Sequence, residues 1–259
     1  MLFAEFYCRP SNQYLPKHPD VHSGYKSQEK VGAVAALFQY AFEPIYFLKN
    51  SVSKSTYDRF IQVFGFVPNK DKKLAMKTFL YNHAATYQFC KEGACSWRCA
   101  YAAMKLAQIF QNTKVAVFLQ SNAKKDQFVV VLGKPTVNGS EFYVYDPLLN
   151  ADLLFSHQSY QKDVLPTYPD AQHPSPFAFK MKITKEMAED YEKRWPKILK
   201  FLLDLCEQNR KSSESLCKDF QYCLSIMKAG YSQDELASTC QKAVSTFDTI
   251  VELHKLGLN

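Results

Sequence analysis

Apolar residues recur at two different spacings along the chain, and the change of spacing divides it into three regions. In the first region the spacing is helical, as it is again from Thr184 to the end. Between them, short runs of β-branched and aromatic residues predict strands. The predicted helices of the first region are the first half of 31–48, which Pro44 ends, 56–66, 74–87 and an Ala-rich run after Cys95.

The strands of the middle region are 114–120, 127–133, 141–146 and 177–183. Ser121-Asn122 and Asn138-Gly139 are turn signals, and the second predicts an antiparallel hairpin between the two strands beside it. Residues 1–30 contain three prolines and 149–176 contain four. Both stretches are therefore predicted to be irregular, the first as an arm over the core.

The last region, 184–259, predicts three helices in an antiparallel bundle. Thr184 and the capping box 232–235 mark helix starts, and Pro196 is expected to kink or restart the first helix. The domain prediction is therefore a core over 1–183, including the arm, and a helical bundle over 184–259.

Composition limits the class of protein. The chain has 259 residues, 47% apolar and 22% charged, which is typical of a globular protein and excludes wholesale disorder. No apolar run reaches the length of a membrane span, and the first apolar stretch contains Glu5 without a basic region before it. No transmembrane segment or signal peptide is predicted, which favours a cytoplasmic protein.

The positive charge is uneven. The net charge is +7; residues 1–183 carry 21 Lys/Arg against 13 Asp/Glu, whereas 184–259 carry 11 against 12. A basic first part can face an acidic protein, a nucleic acid or an anionic membrane. No basic cluster interleaved with aromatics forms a nucleic-acid motif, so no nucleic-acid partner is expected.

The chain has eight cysteines, and their spacing does not predict a disulfide framework. Cys206, Cys223 and Cys240 share helical faces with core residues. The one close cluster, residues 90–99, lacks a matching pair at zinc-site spacing, so no metal and no cofactor are expected. The cysteines therefore predict an intracellular type of protein whose thiols are reduced.

Cys95 is the cysteine with the chemistry of interest. Gly93 precedes it in a turn, and the Ala-rich helix begins directly after it. At a helix N-terminus the free N–H groups and the dipole favour a thiolate, which lowers the thiol pKa and makes a nucleophile. The alternative is a buried small apolar residue, a common place for free cysteine.

A cysteine heading a helix, followed by a short sheet whose late strand ends in Tyr145-Asp146-Pro147, resembles papain-like and transglutaminase-like cysteine enzymes. In those families a histidine enters on one strand, and an Asp or Asn on the next orients its imidazole. The resemblance implies an α+β fold with a papain-like or transglutaminase-like core, here closed by the C-terminal helical bundle. It also implies Cys95 as nucleophile, Asp146 as orienting carboxylate and Gln88 as oxyanion-hole donor.

The pattern of Cys95, Trp97 and Arg98 is also similar to deubiquitinases of the ovarian-tumour class and to autophagin-type peptidases. This second resemblance implies a ubiquitin-like protein as substrate or partner. An enzyme-like domain joined to a helical module without a signal peptide is similar in style to the effectors that bacteria secrete into host cells.

The expected histidine is absent from both alignments. In the papain-like alignment its position is Gln127, and in the autophagin alignment it is Leu148. In one account His157, or His83 on the preceding helix, folds back to serve Cys95 as the base. In the other, the fold persists without a base, Gln127 only positions a ligand, and the protein binds a partner.

Three functions follow from these accounts. The leading one is a cysteine-dependent acyl-transfer enzyme of the protease, deamidase or transglutaminase kind, acting on a protein. The alternative is a catalytically degenerate pseudoenzyme that binds an acidic or ubiquitin-like protein. The third is a plain helical scaffold with buried cysteines. The candidate site residues are Cys95, Asp146, His157, Gln88 and Gln127.

Overall fold

A computed structural model describes part of the chain. The described residues are 62, 77, 79–81, 83–85, 87–88, 95–122, 124–125, 127–136, 139–148, 154–168, 170, 180–209 and 240–249. The predicted arm 1–30, the helix 31–48, nearly all of 56–66 and the capping box 232–235 lie outside them. So do the second predicted helix of the bundle and parts of the third.

The described residues fall into two compact units, each with its own packing. The first holds the described positions between 62 and 88 together with 190–209, and the second holds those between 95 and 189 together with 240–249. The predicted domain boundary at 183/184 stays a prediction.

In the first unit, the described positions between 77 and 88 are helical, and so are residues 190–209. A network of polar side chains links these two helical stretches. The hydroxyl of Tyr81 donates to Oδ2 of Asp190 at 2.9 Å, and Lys77 and Arg194 reach the same carboxylate at 3.3 and 2.8 Å. Burial alone raises the pKa of Asp190, but the Tyr81 hydrogen bond and the two cations bring it below its usual value. The network therefore ties the two helices together through an ionised carboxylate.

The second unit is an antiparallel sheet with helices. Helix α1, Cys95–Ile109, precedes strands β1, Ala116–Asn122, β2, Gln127–Thr136, β3, Gly139–Tyr145, β4, Leu154–Ser156, and β5, Lys180–Ile183. Helix α2, Lys185–Asn209, has residues 185–189 in this unit and the rest in the first. The strand order is β4-β3-β2-β1-β5, and every neighbouring pair is antiparallel. The prediction of an α+β fold is confirmed at this level.

Different elements cover the two faces of the sheet. Alternation along β2 sends Val130 and Leu132 to the face on which α1 packs, and Val129 and Val131 to the opposite face. All four are buried, because a second layer covers the opposite face. That layer is the stretch 157–168, here called the tyrosine segment, which contributes Tyr160, Val164, Leu165 and Tyr168 to the apolar cluster.

The tyrosine segment corrects the prediction that 149–176 is irregular. Residues 154–156 form β4, and a single α-helical turn, a π-helical turn and a 3-10 turn follow without a break through Thr167. The prolines of the stretch do not prevent this, since Pro166 lies in the first turn of the 3-10 segment, where a missing N–H costs nothing. The segment thereby carries Tyr160, Val164 and Tyr168 to the sheet.

Other boundaries differ from the predictions for local reasons. Strand β1 continues through Ser121-Asn122, and the turn comes after it, where Oδ1 of Asn122 accepts hydrogen bonds from the backbone N–H groups of Lys124 and Lys125. The predicted 127–133/141–146 hairpin is confirmed, with Gly139 at φ 133°, a value that favours glycine. Helix α2 continues through Pro196 instead of restarting there.

Candidate functional site

Three chain segments converge at one end of the sheet: the start of α1, the start of β2 and the end of β3. The thiol of Cys99 donates to the carbonyl of Phe128 at 3.0 Å. The guanidinium of Arg98 donates through Nη1 to the carbonyl of Pro147 at 3.4 Å. The first turn of α1, which Cys95 opens, therefore lies against β2 and against the turn that follows β3.

Gln127 and Asp146 meet at this end of the sheet. The register pairs Val130 with Tyr145, which brings the first residues of β2 beside the last residues of β3. Nε2 of Gln127 donates to Oδ2 of Asp146 at 3.1 Å and to Oδ1 at 3.3 Å. Both residues are buried, with 3% and 1% of their surface exposed. The structure thus brings together two of the predicted site residues.

Asp146 accepts three further hydrogen bonds. The backbone N–H of Leu148 donates to Oδ1 at 3.0 Å, and the hydroxyls of Tyr160 and Tyr168 donate to Oδ2 at 2.7 and 2.6 Å. Burial raises the pKa of Asp146, and its four donors lower it again in part, leaving it above the usual value. Burial also raises the pKa of Tyr160 and Tyr168, so both hydroxyls keep their protons and can only donate to the carboxylate.

Cys95 borders the same cluster. It is the first residue of α1, is half-buried, and packs against the apolar cluster that contains Leu148, Tyr160 and Tyr168. Cys99, one turn further, is fully buried, and burial raises the pKa of its thiol well above the usual value. Among the three cysteines that the structure describes, Cys95 is the accessible one; Cys99 and Cys240 are buried.

His157 lies elsewhere. The pairing of β3 with β4 matches Tyr143 with Ser156, so His157 continues toward the level of Phe142. That level is four residues from Asp146 along β3, or about 13 Å at the usual strand rise. The antiparallel direction of β4 leads His157 away from the end of the sheet where Gln127 and Asp146 meet. The account in which His157 folds back to Cys95 gains no support from this register.

His83 and Gln88 belong to the first unit, and each has a partner there. The ring of His83 stacks on Phe79 at 3.7 Å between centroids, and its Nδ1 lies 2.8 Å from the Phe79 carbonyl oxygen. Burial lowers the pKa of His83 to about 3, so the imidazole is neutral. Oε1 of Gln88 accepts a hydrogen bond from the Tyr191 hydroxyl at 2.7 Å. The oxyanion role of Gln88 stays a prediction.

Tyr160 and Tyr168 are site residues that the sequence patterns did not indicate. A signal was nevertheless present, since Tyr160, Val164 and Tyr168 recur every fourth residue, as one face of a helical segment does. The four prolines of 149–176 concealed it. Nothing local to either tyrosine predicts that its hydroxyl meets Asp146, because that contact depends on the fold.

The site holds the carboxylate of Asp146 against the side-chain amide of Gln127. This amide cannot exchange a proton at neutral pH. Within the described ranges, no three His, Cys, Asp or Glu side chains are grouped so as to hold a metal ion. In the same ranges, no helix is both long and apolar enough to cross a membrane.

Comparison with known proteins finds no matching family model, no matching curated protein and no matching solved structure.

Proposed function

We propose that the second unit is a papain-like or transglutaminase-like domain without its catalytic base, and that the protein acts by binding another protein. The observation that carries the proposal is the hydrogen bond from Gln127 to Asp146, at the position where the resemblance to papain-like enzymes implies a histidine. An imidazole there would take a proton from the thiol and return it. Loss of such a base slows acyl transfer by about 10² to 10⁴-fold.

The surroundings of Asp146 support the same proposal. Its two oxygens already accept hydrogen bonds from four groups, two of them on the tyrosine segment. The carboxylate is 1% exposed, so a substrate does not reach it without moving that segment. The geometry is that of a structural centre which keeps the end of the sheet together.

A second candidate is the cysteine-dependent acyl-transfer enzyme predicted from the sequence. One observation favours it: Cys95 opens α1 and remains partly exposed, as a nucleophile must. Helix N-termini stabilise thiolates even without a neighbouring imidazole. The two candidates therefore differ in one measurable property, the state of the Cys95 thiol near neutral pH.

The wider parts of the proposal concern the rest of the chain. Residues 184–259 are proposed to form a helical bundle that targets the binding domain, which would have a ubiquitin-like or otherwise acidic protein as partner. A reducing compartment, either a cytoplasm or a host cell that the protein enters by secretion, is the proposed place of action.

The test is to restore the base. In the unchanged protein, the rate at which iodoacetamide alkylates Cys95 should rise with pH to a midpoint above neutrality, as for a thiol without a base beside it. In Gln127→His, an imidazole held by Asp146 should move that midpoint below about pH 7. Gln127→Asn is the matched control, because it changes the same position without adding a base.

Either of two results would overturn the proposal. If Cys95 of the unchanged protein already reaches its full alkylation rate below pH 7, and His157→Ala abolishes this, the enzyme is the correct reading. If folded Gln127→His leaves the profile unchanged, Gln127 does not occupy the histidine position. Circular dichroism of each variant establishes that it is folded.

A further inference from the structure

Strand β5, Lys180–Ile183, has a backbone edge that can receive another strand. Among the described strands it is the last of the sheet, and it pairs with β1 through matches such as Val117 with Ile183 and Gln120 with Lys180. None of the described strands pairs with its second edge. The N–H and C=O groups of such an edge can bind an extended segment of another protein.

The face of β5 that Lys180 and Lys182 share is positively charged. Both side chains are exposed, and Nζ of Lys180 lies 4.4 Å from the ring centroid of Phe118 and 4.6 Å from that of Phe142. The only carboxylate within the five strands is Glu141, which points to the opposite face and accepts the Tyr143 hydroxyl. A segment lying along β5 would therefore meet cations on this face.

The opposite face adjoins a cleft that is lined by both apolar and charged residues. A cleft of about 310 Å³ lies at the end of β5. Its apolar lining comes from α1, from the stretch between α1 and β1, and from β1 and β5: Ala107, Phe110, Val115, Ala116, Val117 and Ile183. Lys114, Lys182 and Lys185 also line the cleft, together with a single carboxylate, Glu186. Side chains of an added strand point alternately to the two faces of the sheet. One set would reach Lys180 and Lys182, and the other set would reach the apolar residues of the cleft.

We propose that the edge of β5 binds an extended segment of a partner protein in which acidic and apolar residues alternate. The inference rests on the proposed binding function and names its surface and the chemistry of its partner. A single-stranded nucleic acid fits less well, because Lys180 already covers the rings of Phe118 and Phe142 on which bases would stack.

The test uses a fluorescein-labelled eight-residue peptide of alternating Glu and Val and measures fluorescence anisotropy with the full chain. The peptide should bind at low salt and bind more weakly as salt is added. Lys180→Glu/Lys182→Glu should weaken binding at least tenfold. The matched control is Lys124→Glu/Lys162→Glu, which makes the same charge change at two exposed lysines outside β5 and should leave binding within twofold.

Two N-methylated peptides test the backbone contact separately from charge. One carries the methyl groups on the Glu nitrogens and the other on the Val nitrogens. Alternate N–H groups of a strand point to opposite edges, so only one peptide loses the donors that face β5. We expect one methylated peptide to lose binding and the other to keep it.

Four results would overturn the inference: no binding of the parent peptide, equal weakening by the two double variants, equal binding of the two methylated peptides, or full competition by a single-stranded oligonucleotide. None of them bears on the alkylation of Cys95 in Gln127→His. Failure of this surface and failure of the proposed function are thus distinguishable.

Discussion

The side-chain amide of Gln127 donates to both carboxylate oxygens of Asp146, with Nε2 3.1 Å from Oδ2 and 3.3 Å from Oδ1. A carboxylate in a cysteine enzyme holds a neighbouring imidazole in one orientation and one tautomer. Here the carboxylate holds a group that has no proton to transfer at neutral pH. Asp146 therefore stabilises the fold around Cys95, and its contribution can be measured as a free energy of unfolding.

Asp146→Ala should lower the free energy of unfolding by about 3 kcal/mol or more, because it leaves four buried donors without their acceptor. These donors are the backbone N–H of Leu148, the amide of Gln127 and the hydroxyls of Tyr160 and Tyr168. Urea unfolding followed by tyrosine and tryptophan fluorescence measures the change.

The matched control is Asp163→Ala in the tyrosine segment, an exposed carboxylate of the same type. It should change the unfolding free energy by no more than about 0.5 kcal/mol. Equal losses in the two variants would contradict a special role for Asp146.

Tyr168→Phe should change how stability depends on pH. Because the pKa of Asp146 is higher in the folded chain than in the unfolded chain, its protonated form favours folding. That contribution is complete below the unfolded pKa and is lost as the pH rises through the folded one. Tyr168→Phe removes a hydrogen bond that lowers the pKa of Asp146, so the loss should extend to higher pH.

The measurement is urea unfolding between pH 4 and 8, with Asp146→Asn as the reference that does not titrate. The stability of the unchanged protein, relative to that reference, should decrease as the pH rises above about 4. A relative stability that increases with pH would mean that the four donors outweigh burial and that the pKa of Asp146 is lowered.

The order of the elements around the site could be predicted from local patterns. Cys95 at the head of a helix, Gln127 opening a strand and Asp146 closing the next one follow from periodicity and turn residues. The register of the hairpin then determines that Gln127 and Asp146 meet. Such features depend on residues close together in the sequence, where local conformational preferences determine the structure.

The other half of the site depends on contacts between distant residues. Tyr160 and Tyr168 reach Asp146 across 14 and 22 residues of chain, through a segment that contains a proline. His157 is near Asp146 in sequence, yet the short strand β4 directs it away. Strand pairing of this kind involves three residues on each side, too few to produce a pattern in the sequence.

Alkylation of the native protein should distinguish Cys95 from Cys99, although they are four residues apart on α1. Cys99 is buried, donates its thiol hydrogen to the Phe128 carbonyl and has a raised pKa, so it should stay unmodified until the chain unfolds. Cys95 is partly exposed and should react first. Peptide mass spectrometry after brief iodoacetamide treatment, with and without urea, measures both. Modification of Cys99 at the rate of Cys95 would contradict the packing of α1 on β2.

The last prediction concerns Gly133 in β2, over which the ring of Phe142 lies. A Cβ atom at position 133 would sit 3.0 Å from Cε1 of Phe142 and 3.4 Å from Cε2 of Phe118, so the exposed Phe142 ring has to turn away. Gly133→Ala should cost about 1 kcal/mol of unfolding free energy through this crowding. In a Phe142→Ala background the crowding is gone, and the same substitution should stabilise by about 0.5 kcal/mol, since alanine suits a strand better than glycine. Urea unfolding of the four proteins gives the coupling, and purely additive effects would show that the ring does not press on β2.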